Sequence, residues 1–557
     1  MSQKNNEAVR MIPLGGVGQI GKNMMVLEYG DEMLIIDSGV MFPEDDQLGI
    51  DLVIPDFDYV KKNKDKIKGI VLTHGHLDHI GALPFLLKEI NVPIYGTKLT
   101  LGLLEGNLKE HNLMKSSRIK VVNAGSSIQV GQFKVDYIKV NHSLTDTCAL
   151  AIHTPLGPIV YASDFKFDQT PVDGEVADFH KLAELGHSEP GVLALFSDST
   201  NVERKGYTMS EKVVGETIDD IFYRATERII VATFASNIHR IQQILDAAVK
   251  YGRKIAITGR SMINNVEIAR RLGYISVPDE MIVDVRDMGH IADDEIVLIT
   301  TGSQGEPMAA LTRMARGDHY HINIKNGDTV VISASAIPGN EKFVGQTINQ
   351  LFERGANVIY EDVSGVHVSG HASQEELKLM LNLTKPKYFV PTHGEARHLH
   401  QHATLAEDVG VPKENIYIAD LGDVIEFRED KVEKVDKVQA GDILVDGLGI
   451  GDVGNIVLRD RKTLSEDGII IVVVTIDSDG NIQSGPDIIT RGFVYIRESE
   501  KLIEDATNRV RDALKECEEK GITEWSVLKK TIKNSLNNYI YKQIKRNPMI
   551  LPIIMQV

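Results

Sequence analysis

The sequence has 557 residues, of which 42% are hydrophobic and 25% are charged, a composition typical of a soluble globular protein. A chain of this length exceeds what one hydrophobic core can hold, so about three or four domains or lobes are expected. The net charge of −18 excludes indiscriminate binding to nucleic acids, because a polyanion would be repelled at long range.

Cysteine use and the distribution of apolar residues bear on the compartment. Cys148 and Cys517 lie far apart in the chain and offer no disulfide framework, which favours a reducing compartment. Residues 1–7 contain no apolar segment, so we do not expect a signal peptide. The apolar run at 469–474 has the length of a strand and is too short to cross a membrane. We therefore expect a cytoplasmic protein without a membrane partner.

A glycine-rich segment near the N-terminus matches a nucleotide-binding fingerprint. Residues 16–21 follow the pattern G-x-G-x-x-G, and Asp37 comes about twenty residues later. A helix should begin at the last glycine, whereas residues 24–29 and 33–37 predict two strands around a turn. We therefore favour a glycine turn in a β-hairpin lobe. Asp37, at the end of an apolar strand, is then predicted to orient metal ligands rather than to bind metal.

The residues that organise the chain follow the apolar run 69–73, which is predicted to be a buried strand. Four side chains of the kind that bind metals lie on the turn that comes next: His74, His76, Asp78 and His79. Gly75 keeps this turn free of side-chain bulk. Imidazole and carboxylate ligands suit zinc, manganese or iron, and the absence of cysteine favours a catalytic site over a structural one. The alternative is a solvated histidine loop.

The spacing of these side chains predicts two ions. His74 and His76 can face one ion, while Asp78 and His79 turn towards a second. The pattern resembles the H-x-H-x-D-H signature of the metallo-β-lactamase fold, which holds two metal ions.

Three later strands place polar side chains at their ends. Predicted strands finish just before His142, Asp164 and Asp198. Loop ligands gather at such strand ends, because the sheet behind them is rigid. With the turn at 74–79 already present, His142 is predicted to complete the first metal site and Asp164 to bridge both ions.

After about residue 206 the sequence predicts alternating helices and strands. Helices are predicted over 210–225 and 238–251, and strands over 228–233 and 254–258, which is α/β patterning with parallel strands. Loops rich in glycine, serine and threonine end strands of this lobe at 258–261, 300–307 and 333–339. Backbone amides in such loops can approach an anion such as phosphate, and the alternative is that they are ordinary tight loops.

Histidines return near residue 370. His371 follows small residues and can donate a proton near neutral pH, although a capping or surface histidine is the alternative. The predicted strand 388–390 ends at His393, which repeats the placement of His142. His393 is therefore predicted to supply the last ligand of the second ion.

These motifs together resemble the β-CASP branch of the metallo-β-lactamase nucleases. The resemblance is carried by H-x-H-x-D-H at 74–79, by Asp198, by Ser-Gly-His at 369–371 and by Pro-Thr-His-Gly at 391–394. The inserted lobe and the additional C-terminal domain narrow it to the bacterial ribonuclease J family, over essentially the whole chain. Many Firmicutes carry two paralogues of this family, and the sequence is more similar to the second.

The resemblance implies an α/β fold: a metallo-β-lactamase αββα sandwich with an inserted β-CASP α/β domain and a small C-terminal α+β domain. The metallo-β-lactamase domain is expected over 1–205 and 366–430, and the β-CASP domain over 206–365. A linker is expected over 431–460, where glycines are frequent, and an oligomerisation domain over 461–557. The C-terminal domain contains amphipathic helices and no cluster of metal ligands.

The resemblance also implies an activity and its partners. We expect a metal-dependent ribonuclease with 5′-to-3′ exonuclease activity that prefers 5′-monophosphate RNA, and with endonuclease activity. Its expected roles are RNA maturation, rRNA processing and mRNA decay. Two Zn²⁺ ions are expected per subunit, with Mn²⁺ or Mg²⁺ possible in activity. Besides RNA, the expected partners are a second copy, in a homodimer or homotetramer, and a paralogue, in a hetero-oligomer.

Roles can be assigned to individual residues on this basis. One ion is assigned to His74, His76 and His142, the other to Asp78, His79 and His393, and both to Asp164. The catalytic residues are His371 as general acid for the departing 3′-oxygen, Asp198, which orients the histidines, and Asp78. The expected substrate-binding residues are His367, Val368, Ser369, Gly370, His371, Ser303, Gln304, Ser333 and Ser335. Some relatives hold a structural calcium ion, for which the matching residues are Gly49, Asp51 and Asp446.

Two alternatives stay open at this point. A metallo-hydrolase of small esters or thioesters would share the metal ligands but would lack the inserted lobe and the element Ser369-Gly370-His371. A weakly active or structural paralogue that stabilises an active partner would share the metal ligands, the inserted lobe and the Ser-Gly-His element. The intact metal ligands count against this alternative.

Overall fold

The computed structural model describes residues 8–302, 309–335, 340–360, 365–478, 481–494 and 499–557. Contacts group the chain into two units, Met1–Phe42 with Leu52–Ile443 and Pro43–Asp51 with Leu444–Val557. Every helix among the described residues is too short or too polar to cross a lipid bilayer. The predicted substrate-binding residues Ser303 and Gln304 lie outside the described residues.

The larger unit begins with the predicted β-hairpin. Strands Met24–Tyr29 and Glu32–Ile36 pair antiparallel, which confirms the glycine-turn interpretation of the N-terminal segment. The first sheet continues from this hairpin in the spatial order Val432–Lys437, Asp423–Phe427, Val9–Gly15, Met24–Tyr29, Glu32–Ile36, Ile67–Val71, Pro93–Gly96 and Arg118–Val121. From Glu32–Ile36 onwards the strands run parallel. Strand Val432–Lys437 lies within the segment that was expected to be a linker.

A second sheet contains the strands that end at or just before His142, Asp164, Asp198 and His393. Its spatial order is Tyr388–Thr392, Ala194–Asp198, Gly157–Tyr161, Cys148–Thr154, Phe133–Lys139 and Ser127–Val130. Its strands Gly157–Tyr161, Ala194–Asp198 and Tyr388–Thr392 pair parallel. Because the carboxyl ends of parallel strands meet at one edge, the residues that follow these strands are brought together.

The two sheets pack face to face and are covered by helices. Leu27 and Leu34 of the first sheet share a buried cluster with Leu150 and Phe196 of the second. The other face of the second sheet packs against Phe179–His187, Gln374–Thr384 and Ala396–Asp408. Helix Lys98–Glu110 packs on the first sheet. Each buried Leu or Phe contributes about 1.5–3 kcal/mol. The predicted αββα sandwich is therefore confirmed.

The remaining short elements of this domain connect the strands. They are the strand Leu52–Pro55, the helices Asp58–Lys62, Leu77–Ile80 and Leu83–Leu86, and the 3₁₀ turns Lys64–Lys66 and Lys413–Asn415. The segment that follows strand Ile67–Val71 therefore contains two single helical turns, and Leu83–Leu86 has proline in its first turn.

The inserted lobe contains a parallel sheet, as its alternating pattern predicted. The spatial order is Ile282–Val283, Lys254–Ile257, Ile296–Thr300, Ile229–Thr233, Thr329–Ser333 and Asn357–Tyr360. All described neighbours in it pair parallel. Its helices are Glu211–Arg224, Ile238–Lys250, Arg260–Leu272, Ala310–Arg316 and Glu341–Glu353, with 3₁₀ turns at Asp279–Met281, Val285–His290 and Asp293–Glu295.

Side-chain caps fix where two of these helices begin. The Ser210 side chain accepts a hydrogen bond from Lys212 N, and the Asn237 side chain accepts one from Arg240 N. Such caps contribute about 1 kcal/mol each, because they satisfy amides that have no partner inside the helix. The cap at Asn237 sets the start of the helix that carries Arg240.

The smaller unit contains a mixed three-stranded sheet that is covered by two long helices. The strands lie in the order Ile482–Arg491, Ile469–Ile476 and Met549–Gln556, and the helices are Glu500–Glu519 and Trp525–Ile544. A further helix spans Asn455–Asp467, and Asp442–Asp446 pairs with Gly449–Ile450. The first long helix is amphipathic, as predicted, and buries Ala506, Val510, Leu514 and Cys517. The predicted C-terminal α+β domain is therefore confirmed.

Candidate metal centre

Asp37 anchors the turn that carries the predicted metal ligands. Asp37 and the turn follow adjacent parallel strands, and the carboxylate of Asp37 is completely buried. It accepts hydrogen bonds from Thr73 N at 2.9 Å and Thr73 Oγ1 at 2.7 Å, and it lies 2.8 Å from His79 Nδ1. Its second oxygen therefore fixes the ring of His79, so that Nε2 faces the site.

The first predicted ligand set comes together at the sheet edge. One ligand atom each from His74, His76, His142 and Asp164 lies within 4.8 Å of the others. His76 Nδ1 is 3.1 Å from the Nε2 atoms of both His74 and His142. Burial lowers the pKa of His76 to about 4 and the pKa of His142 to about 3. These imidazoles are therefore neutral at pH 7, with lone pairs available to a metal ion.

The second predicted set shares Asp164 with the first. Asp78, His79, Asp164 and His393 also offer ligand atoms within 4.8 Å of one another. Asp164 Oδ1 lies 3.0 Å from His393 Nδ1 and 3.3 Å from His79 Nε2, and Asp78 Oδ2 lies 3.4 Å from His393 Nε2. Asp164 is therefore placed where it can serve both sets.

The carboxylates change the protonation of the second set. Burial lowers the pKa of His79, but Asp164, Asp78 and Asp37 outweigh it and raise that pKa to about 10. The pKa of His393 is raised well above its usual value in the same way, chiefly by Asp164. In the metal-free protein both imidazoles therefore hold a proton at pH 7.

The donor set fits divalent metal ions. Asp164 Oδ1 and His393 Nε2 are buried and make no hydrogen bond of good geometry with any described residue, although charged partners lie nearby. Buried polar atoms without hydrogen bonds are costly unless something else satisfies them. Imidazole nitrogen and carboxylate oxygen are common ligands of zinc and manganese.

His371 and Asp198 form a pair beside these sets. His371 Nδ1 lies 2.7 Å from Asp198 Oδ2, and the Asp198 side chain is buried while 21% of the His371 side chain is exposed. Burial lowers the pKa of His371, but Asp198 outweighs it and the pKa is raised. Because Nδ1 is held by Asp198, Nε2 is the nitrogen that can give a proton to a bound group.

The predicted Ser-Gly-His element lies at the first set. Gly370 O is 2.7 Å from His142 Nδ1, and a Cβ at Gly370 would lie 2.7 Å from the His142 ring, so a larger residue would push that ring aside. Ser369 Oγ accepts a hydrogen bond from Asn201 Nδ2 at 2.8 Å. The structure thus brings Ser369, Gly370 and His371 together with the metal-ligand candidates.

Other predicted substrate-binding residues lie in less accessible places. Ser333 is completely buried and its hydroxyl donates to Val366 O at 2.6 Å. His367 Nδ1 is 2.8 Å from Arg240 Nη1, and burial followed by the charge of Arg240 lowers the pKa of His367 to about 2. Val368 is buried and Ser335 is half-buried. Their role in phosphate binding stays a prediction.

A guanidinium lies among the predicted calcium ligands. Arg461 pairs with Asp446 and donates from Nη1 to Leu48 O at 2.9 Å. A Cβ at Gly49 would lie 2.7 Å from the same Nη1, and Asp51 Oδ2 accepts from a backbone amide at 2.7 Å. The guanidinium of Arg461 thus lies beside these residues, and the calcium site stays a prediction.

Three residues that contact the candidate site residues were not predicted from the sequence. Asn23 Nδ2 lies 3.0 Å from His79 Nε2, Asn201 holds Ser369, and Arg240 contacts His367. A signal existed only for Arg240, since it interrupts the apolar face of an otherwise amphipathic helix. Isolated asparagines carry no comparable signal.

Binding of divalent metal ions should release protons. His79 and His393 are protonated in the metal-free protein at pH 7, so titration with Zn²⁺ should expel about two protons per fully loaded site, because the ligands must be neutral. The apparent affinity should fall about tenfold per pH unit for each proton released as the pH decreases. Calorimetry in buffers of different ionisation enthalpy measures this release.

A matched pair of variants tests the source of these protons. His79→Gln should release about one proton fewer, whereas the exposed His400→Gln should behave as the wild type. Metal binding without proton release at pH 7 would contradict this account of the second set.

Comparisons with known proteins agree with the geometry. The metallo-β-lactamase superfamily model matches residues 17–196, and the β-CASP domain model of ribonuclease J matches 226–351. The RNA specificity domain of Zn-dependent metallo-hydrolases matches 356–419, and the ribonuclease J C-terminal domain matches 456–557. A solved protein of unknown function from Enterococcus faecalis V583 has a similar fold, with TM-score 0.54, 16% identity, and coverage of 76% of this chain and 100% of that one.

Curated relatives match from end to end. Ribonuclease J2 of Bacillus subtilis (strain 168) is 49% identical over 100% of both chains. Ribonuclease J 1 of Streptococcus pyogenes serotype M3 is 47% identical, and ribonuclease J 2 of Staphylococcus aureus (strain NCTC 8325) is 42% identical, each over 100% of this chain and 99% of the relative. The resemblance stated from the motifs is confirmed, and the chain belongs to the ribonuclease J family of metal-dependent ribonucleases.

Proposed function

We propose that this protein is a two-zinc ribonuclease that degrades RNA from a 5′-monophosphorylated end and also cuts RNA internally, in RNA maturation, rRNA processing and mRNA decay. The observation that carries the proposal is the position of Asp164, which belongs to both predicted ligand sets and also lies within 4.8 Å of ligand atoms of Asp198, His371 and His393. The proposal includes activity with Mn²⁺ or Mg²⁺, for which the carboxylate oxygens of Asp78 and Asp164 are suitable ligands.

The residues of the chain divide the work of phosphodiester hydrolysis. Bound divalent ions supply Lewis acidity to the phosphate and lower the pKa of the attacking water. His74, His76 and His142 would hold one ion, while Asp78, His79 and His393 would hold the other. The Asp78 side chain is 31% exposed and therefore lies on the side open to substrate. His371 holds a proton at Nε2, with Asp198 at Nδ1, and gives it to the departing 3′-oxygen.

Replacement of His371 should separate catalysis from metal binding. His371→Ala should lower the rate of RNA hydrolysis by about 10²- to 10⁴-fold, because the leaving oxygen loses its proton donor. The metal content of His371→Ala should equal that of the wild type. The control His400→Ala, at an exposed position, should match the wild type in both hydrolysis rate and metal content. Atomic absorption and a labelled RNA assay measure the two quantities.

Replacement of the metal ligands should give a different outcome. Asp78→Ala combined with His79→Ala should abolish hydrolysis together with one bound ion. Loss of metal from His371→Ala would make His371 a ligand and would overturn this division of roles.

The 5′-end preference is assigned to the loops of the inserted lobe. A 5′-monophosphate can be held by amides and hydroxyls in a small pocket, which a triphosphate would crowd. The candidates are Ser303, Gln304, Ser333 and Ser335. Because the net charge of −18 repels RNA at long range, we assign the discrimination between 5′ ends to local contacts of this kind and not to bulk attraction.

The 5′-end preference can be measured on matched substrates. Exonuclease rates should fall on 5′-triphosphorylated RNA relative to 5′-monophosphorylated RNA of the same sequence, while internal cleavage changes little. Ser303→Phe or Ser335→Phe should remove this preference before internal cleavage is affected, and a chelator should stop both activities. Equal exonuclease rates on both RNAs with the wild type would refute the assignment.

We further propose self-association through the C-terminal sheet, in a homodimer or homotetramer, and hetero-association with a paralogue. Strand Met549–Gln556 lies at a sheet edge, and the face opposite the helices exposes apolar side chains: Ile489, Leu551, Ile553 and Met555. Each of them is 39–47% exposed. A contiguous apolar face of this kind is typical of an interaction site.

A single charge should weaken this association. Ile553→Lys should shift the protein towards the monomer in sedimentation equilibrium, because it buries a charge in the apolar contact. Thr523→Lys, which adds the same charge in the exposed turn between the two long helices, should leave the association state unchanged. Identical behaviour of the two variants would show that another surface holds the subunits together.

A further inference from the structure

Arg240 is a completely buried cation in the inserted lobe. It lies on helix Ile238–Lys250, and its side chain has no exposed surface. Nε donates to Glu211 Oε1 at 2.6 Å and Nη2 donates to Glu211 Oε2 at 2.9 Å. This bidentate pair supplies the opposite charge that a buried guanidinium requires.

The remaining donors of Arg240 point to a different element. Nη1 donates to Ser333 O at 2.7 Å and lies 2.8 Å from His367 Nδ1. Ser333 in turn donates from Oγ to Val366 O at 2.6 Å. The guanidinium therefore joins the end of strand Thr329–Ser333 to the segment 366–368.

That segment leads directly into the metal centre. Val366 and Val368 are buried, so the backbone between them is held on both sides. Three residues after His367 comes Gly370, whose carbonyl lies 2.7 Å from His142 Nδ1, and His371 follows at 2.7 Å from Asp198. A shift of the segment at His367 would therefore be passed along the backbone to His371.

Charge balance alone does not account for these contacts. Glu211 already neutralises the guanidinium, yet one amino group is directed at two atoms outside that pair. A lysine would balance the charge of Glu211, but its single ammonium cannot reproduce the planar set of donors. The identity of the residue at 240 matters for geometry as well as for charge.

We propose that Arg240 is a positioning residue, which fixes the segment 366–368 and through it sets the place of His371 against the leaving oxygen. This proposal rests on the role of His371 proposed above. Arg240 has no described contact with the metal-ligand candidates, and we assign its effect on His371 to its contacts with Ser333 O and His367.

The same lobe offers a matched control. Arg228 pairs with Asp328 through two nitrogens, with Nε at 3.1 Å from Oδ1, and both residues are buried. Its other described hydrogen bond goes to Asn323 O at 2.7 Å. Since Thr329 starts and Ser333 ends the same strand, this pair lies at the opposite end of the sheet from Arg240. Its loss removes a comparable ion pair without touching segment 366–368.

The experiment compares Arg240→Met, Arg240→Lys and Arg228→Met in the full chain, each corrected for its folded fraction. Arg240→Met should lower kcat for internal cleavage of single-stranded RNA, which does not use the 5′-phosphate pocket, by about 10- to 100-fold, since a small displacement of a catalytic group has effects of this order. KM and metal content should stay near the wild-type values. Arg228→Met should keep kcat within about twofold, because the metal centre is not displaced. Arg240→Lys should lower kcat even though it retains the charge.

Hydrogen exchange measured by mass spectrometry gives a readout that needs no catalysis. Amides of 366–371 should exchange faster in both Arg240 variants than in the wild type and in Arg228→Met. This readout also separates the proposal from the 5′-end function, which can fail without changing exchange at these amides.

Three outcomes would overturn the proposal. They are equal losses of kcat in Arg240→Met and Arg228→Met, unchanged exchange at 366–371, and loss of bound metal in the Arg240 variants. If Arg240→Met does not fold, Arg240→Lys decides the question, because it leaves Glu211 paired with a cation.

Discussion

The buried carboxylate of Asp164 lies 3.0 Å from a ring nitrogen of His393, 3.3 Å from one of His79, and 3.7 Å from one each of His74 and His142. With this carboxylate out of water, its charge has to be balanced nearby, because an unpaired buried ion is costly. Among the described residues the positive charge near Asp164 comes from protonated imidazoles, and bound metal ions would supply it in their place. The site can therefore exchange one for the other, and its affinity for metal is tied to pH.

Three residues at strand ends adopt left-handed backbone conformations, which cost about 1–3 kcal/mol each in residues other than glycine. They are Asp37 at φ 57°, Ser163 at φ 54° and His393 at φ 50°. Each is held by a hydrogen bond to another segment: Asp37 N to Val71 O, Ser163 Oγ to Thr73 Oγ1, and His393 N to Gly16 O. The left-handed conformation directs these residues towards the site, and the hydrogen bonds to neighbouring segments offset its energetic cost.

The strand ends that bear the candidate site residues could be predicted because each follows a short apolar run, and parallel pairing then brings Asp164, Asp198 and His393 to one edge. The pairing of His371 with Asp198 required the tertiary fold, since 173 positions separate them. Arg240 could not be assigned, because a lone charge in an amphipathic helix does not reveal its partners. The inserted sheet was predictable from its period, whereas the contacts of its loops depend on residues distant in sequence.

Buried polar and charged groups also fix the position of the inserted lobe relative to the candidate metal centre. Lys166, two residues after Asp164, is buried and donates to Met209 O at 3.0 Å. Asp168 accepts a hydrogen bond from Glu211 N at 3.1 Å, so the first helix of the lobe begins on the loop that carries Asp164. An apolar contact would permit the two elements to slide, whereas hydrogen bonds between buried groups are directional and costly to break. The start of the inserted lobe is therefore fixed relative to Asp164 by directional polar contacts and not by shape alone.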